Sequence, residues 1–295
     1  MLRGTGFSMK IYLDCIACFL RQGLDSARLI TDDENIHEQV VREVLSLSAC
    51  LDMTQSPPAI GRLIHQLIRR ITDNKDPYAL IKERFNNIAL ELYPDLEARV
   101  KGSSDPFAAA VKLAIAGNII DFGVNTTLAE SSLKSTVQQC MQTDLGEQVL
   151  QDLKDAVSAA DKILYLADNT GEIVFDRLLI EQLPLDKVTV AVKGSPVIND
   201  ATMEDAHTAG LISIVKVIDN GADAPGTILD ICSDSFCECF ADADLIISKG
   251  QGNYETLSDI TDKRIFFILK AKCPVIAMDL DCKIDDMILF DNKIF

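Results

Sequence analysis

No run in the 295-residue sequence approaches the roughly 20 consecutive apolar residues of a membrane-spanning helix. Basic residues are also scarce: 28 Lys and Arg stand against 45 Asp and Glu, which gives a formal net charge of -17. Nucleic-acid binding requires clustered Lys and Arg opposite the phosphates, so we expect neither a membrane nor a nucleic-acid partner. Acidity does not exclude a phosphorylated small molecule, because one metal ion can reverse the local field.

Several common catalytic motifs are missing as well. The three histidines, His37, His65 and His207, form no H-E-x-x-H pair, which argues against a zinc protease. There is no G-x-x-x-x-G-K-[ST] loop for nucleotide phosphates and no G-x-S-x-G turn for a serine nucleophile. The stretch "GQGNYE" has G-x-G without the third glycine, so a dinucleotide-type cofactor is weakly supported.

The nine cysteines are scattered and odd in number, which is typical of reduced thiols and not of a secreted disulfide framework. The N-terminal segment lacks the long apolar core of a signal peptide, so we expect a cytoplasmic protein. Cys15 and Cys18 form a C-x-x-C in "IYLDCIACFL". Packing inside a helix, metal binding and redox chemistry are all consistent with this pair.

The two halves of the chain differ in the spacing of their apolar residues. From about residue 10 to 160, apolar residues recur at three- and four-residue steps, as in "IGRLIHQLIRRIT", which predicts helices. After Asp161, short β-branched runs alternate with helical patterns, which predicts parallel strands with helical crossovers. We therefore expect an all-helical N-terminal domain over 1–160 and a three-layer α/β/α, Rossmann-like domain with a mostly parallel sheet over 161–295. The predicted strands are "KILYLA", "VTVAVKG", "ISIVKVID", "LIISKG" and "RIFFILK".

Polar side chains follow three of these strands. Asp168, Asn169 and Glu172 come after "KILYLA", Asp200 comes after "VTVAVKG", and Lys249 stands at the end of "LIISK". Ligands of such sheets bind beyond the carboxyl ends of the strands. Hard divalent cations take oxygen ligands, often one or two carboxylates with waters and substrate phosphate. The spacing is therefore compatible with a metal site that has a lysine beside it.

Each of these residues also has an ordinary structural explanation. Asn169 and Glu172 fit an N-x-x-E variant of the helix capping box, and Asp200 is suited to capping the helix that follows it. Lys249 is explained equally well as a solvated charge at a strand end. Taken together, acids at two strand ends and a lysine at a third favour a site.

Six motifs in order resemble one known family. The chain looks like the damage-control phosphatases, long catalogued as a domain of unknown function, and like their mainly microbial branch with an N-terminal C-x-x-C. The resemblance runs from about Met9 to Ala277 and implies a helical domain packed on a Rossmann-like domain. It also implies metal-dependent hydrolysis of phosphate monoesters of small metabolites, such as sugar phosphates, phosphopantetheine-like compounds or damaged cofactor intermediates. The motifs are "DCIACFLRQ", "AIAGNIIDFG", "ADNTGEIVFD", "VKGSPVINDAT", "SKGQGNYETL" and "LKAKCPVIA".

The resemblance also implies roles for individual residues. One divalent ion, Mg²⁺, Mn²⁺, Co²⁺ or Ni²⁺, is expected on Asp168, Asn169 and Asp200. The G-N-x-x-D motif of the helical half points to Asn118 and Asp121 near the same site. The candidate catalytic residues are Asp168, Asp200, Asp121 and Glu172, and the candidate phosphate-binding residues are Lys249, Asn118 and Asn253.

Two other functions are compatible with the sequence. One is S-adenosylmethionine-dependent methylation of carboxylates, proposed for relatives and compatible with a Rossmann-like sheet; a chelator separates it from metal-dependent hydrolysis. The other is a non-catalytic metal- or metabolite-binding module with a redox-sensitive C-x-x-C, which predicts tight metal binding without turnover. The substrate is expected to be a phosphorylated small molecule, and the sequence leaves the oligomeric state open.

Overall fold

The N-terminal half of the described chain is helical. The structure is a computed structural model that describes residues 9–117 and 137–293. Helices α1, α2 and α3 pack together around an apolar core of their own, which includes Phe19, Val44 and Ile64. The helices of this part are α1 (Leu13–Ile30), α2 (Glu34–Ala49), α3 (Pro57–Thr72), α4 (Ala79–Lys101), α5 (Pro106–Ala116) and α6 (Glu147–Ala159).

The pairs Asp105-Pro106 and Asp76-Pro77 each predict a helix that starts at the proline, and the two observed starts differ in detail. Asp105 caps α5 by accepting a hydrogen bond from the Ala108 amide, with Pro106 at the first helical position. The second start is later than its motif predicted: the Asp76 carboxylate accepts from the Tyr78 amide, and α4 begins only at Ala79. A side-chain turn at Asp76 therefore precedes the helix instead of capping it.

A six-stranded sheet follows, with the strand order β3-β2-β1-β4-β5-β6. All five predicted strands are present and pair in parallel, whereas β6 was not predicted and pairs antiparallel to β5. The strands are β1 (Ile163–Leu166), β2 (Val188–Val192), β3 (Lys216–Asp219), β4 (Leu245–Lys249), β5 (Ile265–Lys270) and β6 (Met287–Asp291). The helices between them are α7 (Glu172–Ile180), α8 (Met203–Thr208), α9 (Asp234–Asp242), α10 (Gln251–Leu257) and α11 (Pro274–Asp279).

Helices cover both faces of the sheet. Along β1, Tyr165 belongs to one apolar core with α4, α5, α6 and α7, whereas its neighbours Leu164 and Leu166 belong to a second core with α9, α10 and α11. Successive side chains of a strand point to opposite faces, so the two cores are the two outer interfaces of a three-layer fold. The predicted three-layer α/β/α class is confirmed.

Element type changes between α6 and β1, next to the expected boundary at residues 160 and 161. The apolar core that contains α4 and α5 nevertheless continues into the sheet, and α4 and α5 both contact α7. The division into two domains at that point stays a prediction. Among the described residues, no helix combines the length and the apolar character that a bilayer-spanning segment needs.

Candidate metal-binding active site

The candidate residues lie at the carboxyl edge of the sheet. Strand β1 pairs with β2 on one side and with β4 on the other. After β1 the chain continues on the β2 side and later returns to β4, so the strand order reverses beside β1. In doubly wound sheets, this reversal point is where ligands bind. Asp168 and Asn169 follow the end of β1 at this point, and Lys249 is the last residue of the neighbouring strand β4.

Backbone hydrogen bonds join the loop after β1 to the loop after β2. The Ala201 amide donates to the Asp168 carbonyl at 2.8 Å, and the Thr170 amide donates to the Asn199 carbonyl at 2.8 Å. Asn169 and Asp200 are thereby directly opposite each other in a short antiparallel bridge. Opposite residues of such a pair project to the same face. The predicted ligands from two separate loops are thus brought together.

The capping explanations of these residues are wrong. Helix α7 has Gly171 at its N-cap and no side-chain cap. The Asn169 amide group instead donates to Asp168 Oδ2 at 2.6 Å and to Glu172 Oε2 at 3.0 Å. Helix α8 is capped by its own capping box of Thr202 and Asp205, so Asp200 is not needed there. Neither the Asn169 side chain nor the Asp200 side chain caps a helix.

The carboxylates of this cluster are buried together. Asp168 is 7% exposed, Asp200 is 3% exposed and Glu172 is 1% exposed. Burial raises the pKa of Asp168 well above its usual range, and the carboxylates of Glu172 and Asp200 raise that pKa further. Burial also raises the pKa of Asp200 to about 6, although the Lys193 ammonium opposes this effect. The ionised forms of Asp168 and Asp200 are therefore disfavoured by burial, which favours binding of a cation beside them.

Lys249 belongs to a fully buried ionic cluster. Its three donors are used by the Ala114 carbonyl at 2.8 Å, Glu172 Oε1 at 2.5 Å and Asp176 Oδ1 at 2.6 Å. Asp176 also accepts from the Tyr165 hydroxyl at 2.9 Å. Burial alone would lower the pKa of Lys249, but Asp176 and Glu172 outweigh it and raise that pKa. The ammonium fixes Glu172, and Glu172 in turn orients the Asn169 amide.

Asn253 is fully buried at the same junction. Its amide group donates to the Lys249 carbonyl at 2.7 Å and to the Ala167 carbonyl at 3.3 Å, and its oxygen accepts from the Thr227 hydroxyl at 2.7 Å. These bonds tie the end of β1 to the end of β4. Phosphate binding by Lys249 or Asn253 stays a prediction, and it requires each to release a bond to the protein.

Two lysines near the cluster were missed in the sequence. Lys193 is 2% exposed, with Nζ 3.5 Å from Asp200 Oδ1, and it also donates to the Gly226 carbonyl. Lys272 is exposed, and the charges of both lysines oppose the rise in the pKa of Asp168 and of Asp200. Each lysine lies inside a family-like motif, "VKG" for Lys193 and "AKC" for Lys272. The motifs were a signal in the sequence, but neither lysine was assigned a role from them. Asn118 and Asp121 fall outside the described residues, and their roles stay predictions.

The donor set suits a hard divalent ion. Asp168, Asn169 and Asp200 offer two carboxylates and one amide oxygen, which matches the few protein ligands that Mg²⁺ commonly takes beside water and phosphate. In the part of the chain that the structure describes, Asp200 Oδ1 is a buried oxygen that forms no hydrogen bond and has the Lys193 ammonium 3.5 Å away. The same part contains no group of three or more His, Cys, Asp and Glu side chains arranged for a metal. A site on two carboxylates and an amide agrees with both observations.

Gly250, between β4 and α10, allows the Asp168 carboxylate to occupy its position. A Cβ atom on Gly250 would lie 1.9 Å from Asp168 Oδ2, and the residue has φ of +79°. The carboxylate is thus packed directly against the backbone. Both the close approach and the left-handed backbone conformation require glycine here.

We expect Gly250→Ala to lower metal affinity and phosphate release together, because the new methyl group displaces the Asp168 carboxylate. Gly146→Ala is the matched control: Gly146 has φ of +87°, but its added Cβ would meet only Val149 Cγ1 at 3.6 Å. Both variants place a Cβ atom at a residue with positive φ, and only the first also creates the clash. Thermal unfolding and ion titration separate these effects, and equal activity of the two variants would contradict this packing.

Known proteins are similar to nearly the whole chain. A family model described as "Damage-control phosphatase ARMT1-like domain" matches residues 11–288. An uncharacterized protein of Methanocaldococcus jannaschii is 40% identical over 98% of this chain and 98% of its own length. A protein of Archaeoglobus fulgidus named damage-control phosphatase is 37% identical over 95% of this chain and 98% of its own length.

A solved structure agrees with these relatives. The crystal structure of a duf89 family protein from Pyrococcus horikoshii matches with a TM-score of 0.87 and 35% identity, over 96% of this chain and 99% of that chain. The resemblance seen in the six motifs is confirmed over almost the full length. The chain therefore belongs to the damage-control phosphatase ARMT1-like family.

Proposed function

We propose that this chain is a metal-dependent phosphatase that hydrolyses phosphate monoesters of small metabolites. The convergence of Asp168, Asn169 and Asp200 at the reversal point of the sheet carries the proposal. The phosphatase names of two relatives that match nearly the whole chain support the reaction class. A divalent ion, when bound, supplies Lewis acidity toward a phosphoryl oxygen and toward water.

In this proposal, some residues of the chain bind the ion and others compensate the charge of the substrate phosphate. Asp168, Asn169 and Asp200 hold the ion. The hydrogen bond from Asn169 to Asp168 fixes the positions of these two side chains relative to each other. Lys193 and Lys272 place positive charge beside these carboxylates, where it can offset the charge of the substrate phosphate. Phosphoryl transfer depends mainly on such positioning and charge stabilisation.

The candidate proton acceptors differ in how far existing hydrogen bonds and ion pairs already engage their carboxylate oxygens. Glu172 is engaged by Lys249 and by Asn169, so we assign it a positioning role. Asp200 Oδ1 forms no hydrogen bond with the described residues and has only the Lys193 ammonium 3.5 Å away, so it is less engaged than the Glu172 carboxylate. We therefore favour Asp200 over Glu172, while Asp121 stays a candidate from the sequence alone.

The test is a screen of phosphorylated metabolites with Mg²⁺, Mn²⁺, Co²⁺ and Ni²⁺ in parallel, each with and without EDTA. We expect at least one monoester to release phosphate, EDTA to stop the release, and excess metal to restore it. Release that EDTA does not affect would exclude metal dependence. Methyl transfer from S-adenosylmethionine without phosphate release from any ester would replace the phosphatase proposal altogether.

A further inference from the structure

Three cysteines from different parts of the chain share one cavity. The cavity measures about 360 Å³ and lies between the first turns of α1, the helix α10 and the start of α11. It is lined by Cys15 and Cys18 of the C-x-x-C and by Cys273, the N-cap residue of α11. Cys18 is exposed, Cys15 and Cys273 are half-buried, and all three are free thiols.

A buried acid lines the same cavity. Glu255 is 9% exposed and accepts a hydrogen bond from the Gln251 amide group at 3.0 Å. The same amide group lies 3.7 Å from the sulfur of Cys273. Burial raises the pKa of Glu255 to about 7, so both of its protonation states are populated near neutral pH. The cavity that contains the three thiols thus also contains a group that can accept a proton.

The three sulfurs are not arranged as a metal site. Over residues 9–117 and 137–293, no group of three or more His, Cys, Asp and Glu side chains is placed to hold an ion. Thiolates are also disfavoured here, because partial desolvation in the cavity raises the pKa of Cys15 and of Cys18. Exchange proceeds through the thiolate, so a thiol here reacts when a neighbouring base removes its proton, and Glu255 is a base that lines the same cavity.

The positions of the thiols select one pair. Cys15 and Cys18 stand at i and i+3 of α1, where Cβ atoms are about 5–6 Å apart. A disulfide requires about 3.5–4.5 Å between Cβ atoms, so bonding this pair would distort the helix. Cys273 lies on a separate element and lines the same cavity as Cys18, which is the more exposed thiol of α1. Cys18 and Cys273 are therefore the favoured pair.

We propose that this cavity is a thiol–disulfide exchange site in which a small-molecule disulfide oxidises Cys18 and Cys273 to an intramolecular disulfide. The Cys18 sulfur attacks one sulfur of the small molecule, whose S–S bond breaks and releases one thiol. The Cys273 sulfur then attacks Cys18 in this mixed disulfide and releases the second thiol. The two protein protons end on the two released thiols, and Glu255 carries them. The protein thiols are oxidised and the small molecule is reduced.

The site adjoins the candidate metal centre without sharing residues with it. Gln251 follows Gly250, which contacts Asp168, and the oxygen of Gln251 accepts from the Lys272 amide at 3.2 Å. Lys272 directly precedes Cys273. The exchange reaction does not depend on the proposed phosphatase activity, and its test does not use that activity.

The test treats the reduced full-length protein with hydroxyethyl disulfide and maps the products by tandem mass spectrometry. We expect one dithiothreitol-sensitive bond that joins Cys18 to Cys273. The same bond should form in Cys15→Ser and in Cys282→Ser, whose cysteines lie on the same two tryptic peptides. Cys273→Ser should stop at a mixed disulfide on Cys18, and Glu255→Gln should slow the reaction several-fold at pH 7.

Three results would overturn the proposal. The first is a Cys15–Cys18 bond, or no intramolecular bond at all. The second is a Cys18 that reacts no faster than the exposed Cys50, which lies outside the cavity. The third is a metal ion that the three thiols hold in the purified protein and that blocks the reaction until a chelator removes it.

Discussion

Asp168→Asn is expected to lower kcat/KM for phosphate release by more than about 100-fold while the protein stays folded. Substitutions that only support metal ligands already cost 10–100-fold in metal affinity or activity, so loss of a ligand should cost more. The folded state should not lose stability, because burial and the carboxylates of Glu172 and Asp200 raise the pKa of Asp168 and so disfavour its ionised form. An uncharged amide of the same shape removes that penalty.

The matched control for this variant is Asp186→Asn, the same chemical change at an exposed position. Phosphate release, metal affinity and the unfolding midpoint should all be unchanged in the control. In Asp168→Asn the first two should fall, and the midpoint should stay equal or rise. Full turnover in the presence of metal would remove Asp168 from the mechanism, and loss of the fold would make it a structural residue.

Lys249→Met is expected to lower the free energy of unfolding by about 3–5 kcal/mol, the usual cost of removing one partner of a buried ion pair. Glu172 and Asp176 would remain buried without their cation. Chemical denaturation measures this loss. Replacing Asp176 by Asn in the same chain should restore part of the stability, because the two side chains interact directly.

Lys270→Met is the control, since Lys270 pairs with the largely exposed Asp285 at 2.6 Å. A surface pair of this kind is worth about 0–1 kcal/mol. The comparison also decides the role of Lys249. If Lys249→Met raised KM for the phosphate ester but left the stability unchanged, the lysine would be a substrate ligand and its structural role would be refuted.

Much of the fold was predictable because its signals are local. Four of the parallel strands, β1, β2, β4 and β5, are nearly continuous apolar runs, since both of their faces are covered. The edge strand β3 is only partly buried and was predicted from the longer apolar run "ISIVKVID". Strand β6 was missed because it is only partly buried and carries an acid, Asp291, whose pairing with Arg264 appears only after folding.

The site was predictable in part for a similar reason. Asp168, Asn169 and Asp200 were identified because parallel strands must deliver their loops to one edge of the sheet. The burial of Lys249 was not predictable, because it depends on Glu172 and Asp176 standing one helical turn apart and both facing β4. In the same way, nothing in the sequence places Cys273 beside the C-x-x-C. Such contacts are set by packing between elements distant in the chain.

The central claim is that side chains from two loops hold one divalent ion at the carboxyl edge of the sheet. The most direct measurement is anomalous X-ray scattering from crystals of the protein grown with Mn²⁺. We predict a single strong anomalous peak within coordination distance of the oxygens of Asp168, Asn169 and Asp200. A peak elsewhere in the molecule, with none among these three side chains, would contradict the account.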